Sequence, residues 1–379
     1  MNAIVNGRIV LPDGVVSGKA LLYDRRVVSL ADGAPAGCEI IDARGGYVIP
    51  GLIDMHIHGY MGEDSSDGRP EGLRAMAEGL KANGVTGFLP TTMTVSRDEL
   101  RRAFACIRDV KAESDAEDWT GARILGLNAE GPFLNPKKKG AQAEEHILPG
   151  DPAFFRDYLD ILRLVTIAPE MPGNLECVRE LSEAGVLVSI GHTCATYDEA
   201  KQGFEAGVRH VTHLFNAQTG IHHRDPGVAG AALADDRVSC ELIADTFHIH
   251  KGLFPLIARM KGRKLCLITD CLRSGGLPDG EYVSGGQKFV LKGIECRLTD
   301  GTIAGSVLRL NYGVRNLFEN TDLPLNEAVN AASLNPATAL GMDGEIGSIA
   351  PGKRADLAIL NGDFSVRATI LGGRIIYQA

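Results

Sequence analysis

Eight short apolar runs, spaced so that helical patterns or polar turns separate them, constrain the fold more than any other feature of the sequence. They span residues 51–55, 85–90, 124–127, 162–167, 186–190, 210–212, 239–243 and 264–268. Helical periodicity falls between them at 72–83, 96–111, 175–184, 196–206 and 252–260, and again at 325–333. Thr196 with Glu199 has the spacing of a capping box, and Gly185 and Gly207 sit where helix C-caps belong. Strands alternating with helices imply a parallel sheet with crossover helices, and eight strands are what a closed (β/α)8 TIM-type barrel requires.

The two ends of the chain read differently. Residues 3–10, 18–23, 27–30 and 47–49 are short strands broken by turns, and 356–360, 368–371 and 374–377 repeat that style at the other end. This patterning predicts a small β-sandwich domain built from residues 1–51 and 345–379, with the barrel over 52–344. A chain of 379 residues is long enough for such a division. Net charge of −9 argues against a nucleic-acid partner. No apolar run approaches the roughly 20 residues that span a bilayer, and the first residues lack a signal peptide's basic and apolar regions. Eight scattered cysteines without a C-x-x-C pair fit reduced thiols, so the expected location is the cytoplasm.

The polar residues at the strand ends suggest the chemistry. His56 and His58 follow the first strand, Glu130 the third, His192 the fifth, His213 the sixth and Asp270 the eighth. Barrel enzymes place reacting groups at the C-terminal ends of their strands, so these six should converge. Alternate residues of a strand share a face, which lets both imidazoles of His56-Ile57-His58 reach one ion. A set of imidazoles and carboxylates suits zinc or iron. His210 lies an odd number of residues from His213 and is read as structural. His248 precedes a helix start and suits substrate contact better than ligation. His222-His223-Arg224 is a polar loop whose Arg could clamp an anion. Lys137-Lys138-Lys139 is read as an exposed loop face, with steering of an anionic substrate the lesser alternative.

Several stretches together carry a more specific resemblance: Pro50-Gly51-Leu52-Ile53-Asp54-Met55-His56-Ile57-His58-Gly59, Ala129-Glu130-Gly131-Pro132-Phe133, Ala168-Pro169-Glu170, Gly191-His192-Thr193, Thr212-His213-Leu214-Phe215-Asn216-Ala217, His222-His223-Arg224-Asp225-Pro226-Gly227 and Ile268-Thr269-Asp270. By these the chain resembles the N-acetylglucosamine-6-phosphate deacetylases of the amidohydrolase superfamily over nearly its whole length. The resemblance implies the metal-dependent amidohydrolase kind of barrel. It also implies a principal divalent metal on Glu130, His192 and His213, and a second, weaker one on His56 and His58 with Glu130. Asp270 would be general base and then acid toward a metal-activated water. Gln142, Asn216, Ala217, Arg224 and His248 would contact a phosphosugar substrate, with Arg224 contributed across the interface of a homodimer.

The sequence departs from the family at three positions. Gln142 replaces a His found in some members, Gln218 stands where Met is usual, and Cys271 where Ala is usual. N-acetylgalactosamine-6-phosphate is the alternative substrate. Cyclic-amide hydrolysis is disfavoured by the missing strand-end Lys. A non-catalytic binding protein on the same frame is disfavoured because every candidate ligand and Asp270 are present.

Overall fold

The computed structural model describes all 379 residues. Its centre is a parallel barrel of eight strands: β1 (Leu52–Ile57), β2 (Val85–Thr92), β3 (Leu127–Glu130), β4 (Leu162–Ile167), β5 (Leu187–Ile190), β6 (His210–Val211), β7 (Ser239–Ile243) and β8 (Leu265–Ile268). A two-residue segment, Arg123–Ile124, continues β3 toward its start and pairs with β2. The strands pair in sequence order from β1 to β8.

No ladder joins β8 to β1; other contacts close that seam. The carbonyls of Ala331 and Ala332 accept from the backbone N–H of Leu267 and Ile53 at 2.7 and 2.8 Å. Higher up, the N–H of Asp270 donates to the His56 carbonyl at 2.9 Å. The Asp54 carboxylate also accepts from the Thr269 hydroxyl at 2.6 Å.

Helices α1 (Pro70–Leu80), α2 (Arg97–Ser114), α3 (Asn174–Glu183), α4 (Tyr197–Ala206), α5 (Gly227–Ala234), α6 (Phe254–Lys261) and α7 (Leu310–Glu319) pack around the barrel. Ser96 and Thr196 cap α2 and α4 through complete capping boxes with Glu99 and Glu199, which fixes where those helices begin. Val165, Ile167, Val188, Ile190, Cys240 and Leu242 join Phe104, Val178 and Phe204 of the helices in the largest buried apolar cluster. Since successive strand residues face opposite sides, Thr166, Ser189 and Glu241 between them face the barrel interior.

The chain ends form two further sheets. One orders strands 27–31, 20–23, 2–5 and 39–42; the other orders 374–378, 366–371, 357–360, 47–50, 8–11 and 14–16. Ile4, Leu21 and Tyr23 of the first sheet bury against Ile9, Val48, Leu357, Ile359 and Ile370 of the second, so the two ends together make a small sandwich. Several elements have no counterpart in the sequence reading, among them helix α7 and a short helix at Leu334–Ala339. Helix α5 (Gly-Val-Ala-Gly-Ala-Ala-Leu-Ala) is buried on nearly all sides, so it has no polar stripe to reveal its period. A three-stranded antiparallel meander, 280–284, 287–292 and 295–298, comes after β8.

Candidate functional site

The six strand-end residues do converge, and Glu130 is their hub. Its Oε1 lies 3.0 Å from His192 Nε2 and 2.9 Å from His213 Nε2. On its other side Oε2 lies 3.1 Å from His58 Nε2, while Oε1 is 3.5 Å from His56 Nε2. His56 and His58 bring their Nε2 atoms within 3.4 Å of each other, as same-face strand neighbours should. Asp270 Oδ1 stands 3.2 Å from His58 Nε2 and 3.5 Å from His56 Nε2. Two buried triads result, His56–His58–Glu130 and Glu130–His192–His213, sharing one carboxylate.

The far nitrogen of each imidazole shows how the rings are held. Nδ1 meets Glu241 Oε2 at 2.9 Å in His56, the Thr91 carbonyl at 3.1 Å in His58, the Lys138 carbonyl at 2.9 Å in His192 and the Asn216 carbonyl at 3.1 Å in His213. An acceptor at Nδ1 places the ring proton there and turns the Nε2 lone pair inward. Four such lone pairs around a carboxylate make the donor set of a divalent metal.

The charges agree with that reading. Burial raises Glu130, yet His192 and His56 hold it well below the usual carboxylate range. Burial lowers His56, but Glu241 and Glu130 overcome this and push it up to about 9. His58 is likewise depressed by burial and lifted well above its usual value by Asp270 and Glu130. Asp270, opposed by burial, is lowered through its hydrogen bond to His58 and the nearby His56 charge. Buried carboxylates here therefore demand positive charge, and a divalent cation answers that demand as protons on the imidazoles would.

Backbone strain marks the same residues. His192, His213 and Asp270 have φ of 47°, 25° and 50°, a region that costs a non-glycine residue roughly 1–3 kcal/mol and persists only where surroundings enforce it. The enforcing bonds are visible. The His192 carbonyl accepts from Asn135 N–H, His213 N–H donates to Glu241 Oε2, and the Asp270 carbonyl accepts from Ser306 N–H, each at 2.8 to 2.9 Å. Glu170 braces the loop carrying His192 by accepting from the Thr193 hydroxyl, Cys194 N–H and Asn135 Nδ2. That gives the Ala168-Pro169-Glu170 motif a structural reason.

A cavity of about 520 Å³ opens above the cluster, with His58, Glu130, His192, His213 and Asp270 among its lining. Gln142, Asn216, Ala217 and His248 also line it. His248 is held through its Nδ1, 2.6 Å from Asp245 Oδ2. Gln142 is buried, with its carbonyl oxygen accepting from Thr94 N–H at 2.7 Å and its amide donating to Glu130 Oε2, so its carboxamide also orients the hub. Arg224 is exposed beside His223 and is not among the lining residues of its own chain's cavity.

Two sequence readings need correction. Lys137, Lys138 and Lys139 are not a detached loop face: all three line the cavity, and Lys138 holds His192 through its carbonyl. The parity argument for His210 fails because β6 ends at Val211 and the chain leaves extended geometry at His213. His210 nonetheless joins neither triad; it lies 3.2 Å from Glu241 Oε1, a supporting position. Cys271 is buried with its thiol toward the Leu272 carbonyl and is not part of the cavity wall.

Other residues went unnoticed in the sequence. Glu241 supports His56, His210 and the His213 backbone at once. Its signal was a lone carboxylate in an otherwise apolar strand. Asp300, Thr302, Ile303 and Gly305, just past the meander, close one wall of the cavity; no motif announces them.

Residues 47–376 match the Amidohydrolase family. The chain belongs to the amidohydrolase family. This amidohydrolase is 38% identical over 379 residues to N-acetylglucosamine-6-phosphate deacetylase of Bacillus subtilis strain 168, covering 99% of this chain and 93% of that one. It is 35% identical over 372 residues to N-acetylgalactosamine-6-phosphate deacetylase of Escherichia coli O157:H7, covering 97% of each. Among solved structures it superposes on a mutant N-acetyl-D-glucosamine-6-phosphate deacetylase from Mycobacterium smegmatis, in complex with N-acetyl-D-glucosamine-6-phosphate. That match has a TM-score of 0.91 at 30% identity and covers 100% of this chain and 99% of that one. The family is metal-dependent, and the His/Glu cluster of this amidohydrolase is able to hold a metal.

Proposed function

We propose that this amidohydrolase removes the acetyl group of N-acetylglucosamine-6-phosphate, yielding glucosamine-6-phosphate and acetate. The observation that carries the reading is Asp270 standing against both His/Glu triads in one cavity, in a chain similar throughout to deacetylases of that substrate. Glu130, His192 and His213 would hold the principal divalent ion, zinc or iron by donor type; His56 and His58 with Glu130 would hold a second, weaker one. An ion bound there would supply Lewis acidity, polarising the acetamide carbonyl and lowering the pKa of a water held beside it. Asp270 accepts that water's proton as the oxygen attacks the carbonyl carbon. It returns the proton to the amine nitrogen as the C–N bond breaks, so one water is consumed per acetate released.

Substrate positioning falls to the cavity walls. His248, Asn216 and Ala217 contact the sugar phosphate, Gln142 steadies Glu130 beside the acetamide, and Lys137 to Lys139 make the mouth electropositive for an anion. Arg224, exposed on its own chain, serves the neighbouring subunit of a homodimer. Residues 52–344 form the catalytic barrel in this reading, with 1–51 and 345–379 as the small domain. Eight unpaired cysteines, six of them buried, support a reducing, cytoplasmic setting, and no helix is long and apolar enough to cross a membrane.

Acetate release should be measured from both acetylated hexosamine-6-phosphates and from unphosphorylated N-acetylglucosamine. Release should be fastest from N-acetylglucosamine-6-phosphate, stop with a chelator and return with a divalent ion. Preference for the galactosamine epimer would transfer the assignment to that sugar, as the Escherichia coli relative's name allows; no release from either would end it. Arg224→Ala should raise KM for the phosphorylated substrate about tenfold or more, the worth of a charge-assisted bond. An unchanged KM would remove Arg224 from the site.

A further inference from the structure

A second cavity, of about 780 Å³, opens far from the triads, between the start of the third barrel strand and the small sandwich. Arg25, Arg26, Arg123, Arg354 and Arg374 line it, in a chain whose net charge is −9. Three acidic side chains share the lining, Asp24, Asp115 and Glu117, but each already has a partner. Glu117 takes Arg25 through both oxygens, Asp24 the N-terminal amine at 2.8 Å and Asp115 Lys111 at 2.8 Å. Arg26 turns to Glu345 at 2.9 Å.

Three guanidinium groups are left without a close carboxylate. Arg374 donates only to the Trp119 carbonyl, and Arg354 comes no nearer an acid than 3.9 Å, at Asp356. Arg123 is the decisive one. It is 7% exposed, its Nε donates to the Ser114 carbonyl at 3.1 Å, and its buried Nη1 has no partner. A guanidinium cannot shed its proton to escape burial, and a buried charge without a counter-ion is costly.

We infer that this cavity binds a phosphorylated sugar or polyol at a site separate from the catalytic one. Arginine forks match phosphate oxygens in pairs, which sets the anionic group. Leu371 is the one apolar residue among the twelve in the lining, and no aromatic ring is present. The rest of the ligand is therefore rich in hydroxyls and is not a base that needs stacking. The volume suits a small metabolite. Arg123 belongs to the barrel and Arg354 and Arg374 to the small-domain end of the chain, so the ligand ties the two parts together and stabilises the fold.

The test uses the full-length, metal-loaded protein, with fructose 1,6-bisphosphate as the probe in calorimetry and thermal unfolding. Saturable binding and a concentration-dependent rise in Tm are expected. The double variant Arg354→Ala/Arg374→Ala should bind about a hundredfold more weakly and deacetylate as the parent does. Arg123→Lys, which keeps the charge and loses the fork, should weaken binding about tenfold. Absence of saturable binding in the parent would overturn the site, and so would equal binding by the double variant, which would place the probe in the catalytic cavity. Inorganic phosphate binding as tightly as the bisphosphate would overturn the sugar or polyol assignment.

Discussion

Asp270→Asn is expected to keep its metal and its fold and to lose about three orders of magnitude in kcat, within the range a positioned acid/base group contributes. That loss corresponds to about 4 kcal/mol of transition-state stabilisation. The substitution is a clean one for structural reasons. Asp270 sits at φ 50°, a conformation that Asn tolerates better than most residues, and the backbone bonds to His56 and Ser306 that hold it there do not involve its side chain. The amide preserves shape but cannot take up the water's proton. Elemental analysis alongside steady-state kinetics separates the outcomes: unchanged metal content with collapsed kcat supports the proton-transfer role. Retained turnover would move that role to another group, and loss of metal would make Asp270 chiefly a ligand.

The second large effect is expected at Glu130. Because one carboxylate serves both triads, Glu130→Gln should empty both sites and reduce deacetylation to background. Partners that merely orient a ligand already cost about 10–100-fold in metal affinity when removed, so loss of the shared ligand should cost at least about a hundredfold. His58→Asn is the informative contrast. It removes one member of the His56–His58 triad and leaves Glu130, His192 and His213 in place, so the parent's second ion should vanish while the first remains. Metal content per subunit, measured under saturating ion, reads both variants. A Glu130→Gln protein with full metal content and activity would refute the hub. A parent that never exceeds one ion would refute the second site.

The legible parts of this molecule share a physical property: their signals are local. The capping box at Thr196 needs only residues three apart. The His-x-His pair needs only strand alternation, and His56 and His58 do meet through their Nε2 atoms. Helix α5 escaped because complete burial erases the amphipathic pattern. The meander escaped because its short strands lie beside a mostly irregular, glycine-containing stretch, and its importance lies in the wall that residues 300–305 then build. The reading of Lys137 to Lys139 failed because a charge run looks the same in sequence whether it faces bulk water or a cavity mouth.

The sequence by itself determined which side chains stand at the strand ends, because strand and helix periods are set by bonds between near neighbours. It also determined the alternating architecture that aims those side chains at one end of a barrel. Only the tertiary structure decided that Glu241 stands behind His56 and His213 and that Gln142 holds Glu130. Closure of the barrel brings together groups such as Asp54 and Thr269, 215 positions apart, and no local pattern encodes that distance. The same closure against the small sandwich gathers Arg123, Arg354 and Arg374 around a second cavity, where an unpaired buried charge becomes visible only once its surroundings are known.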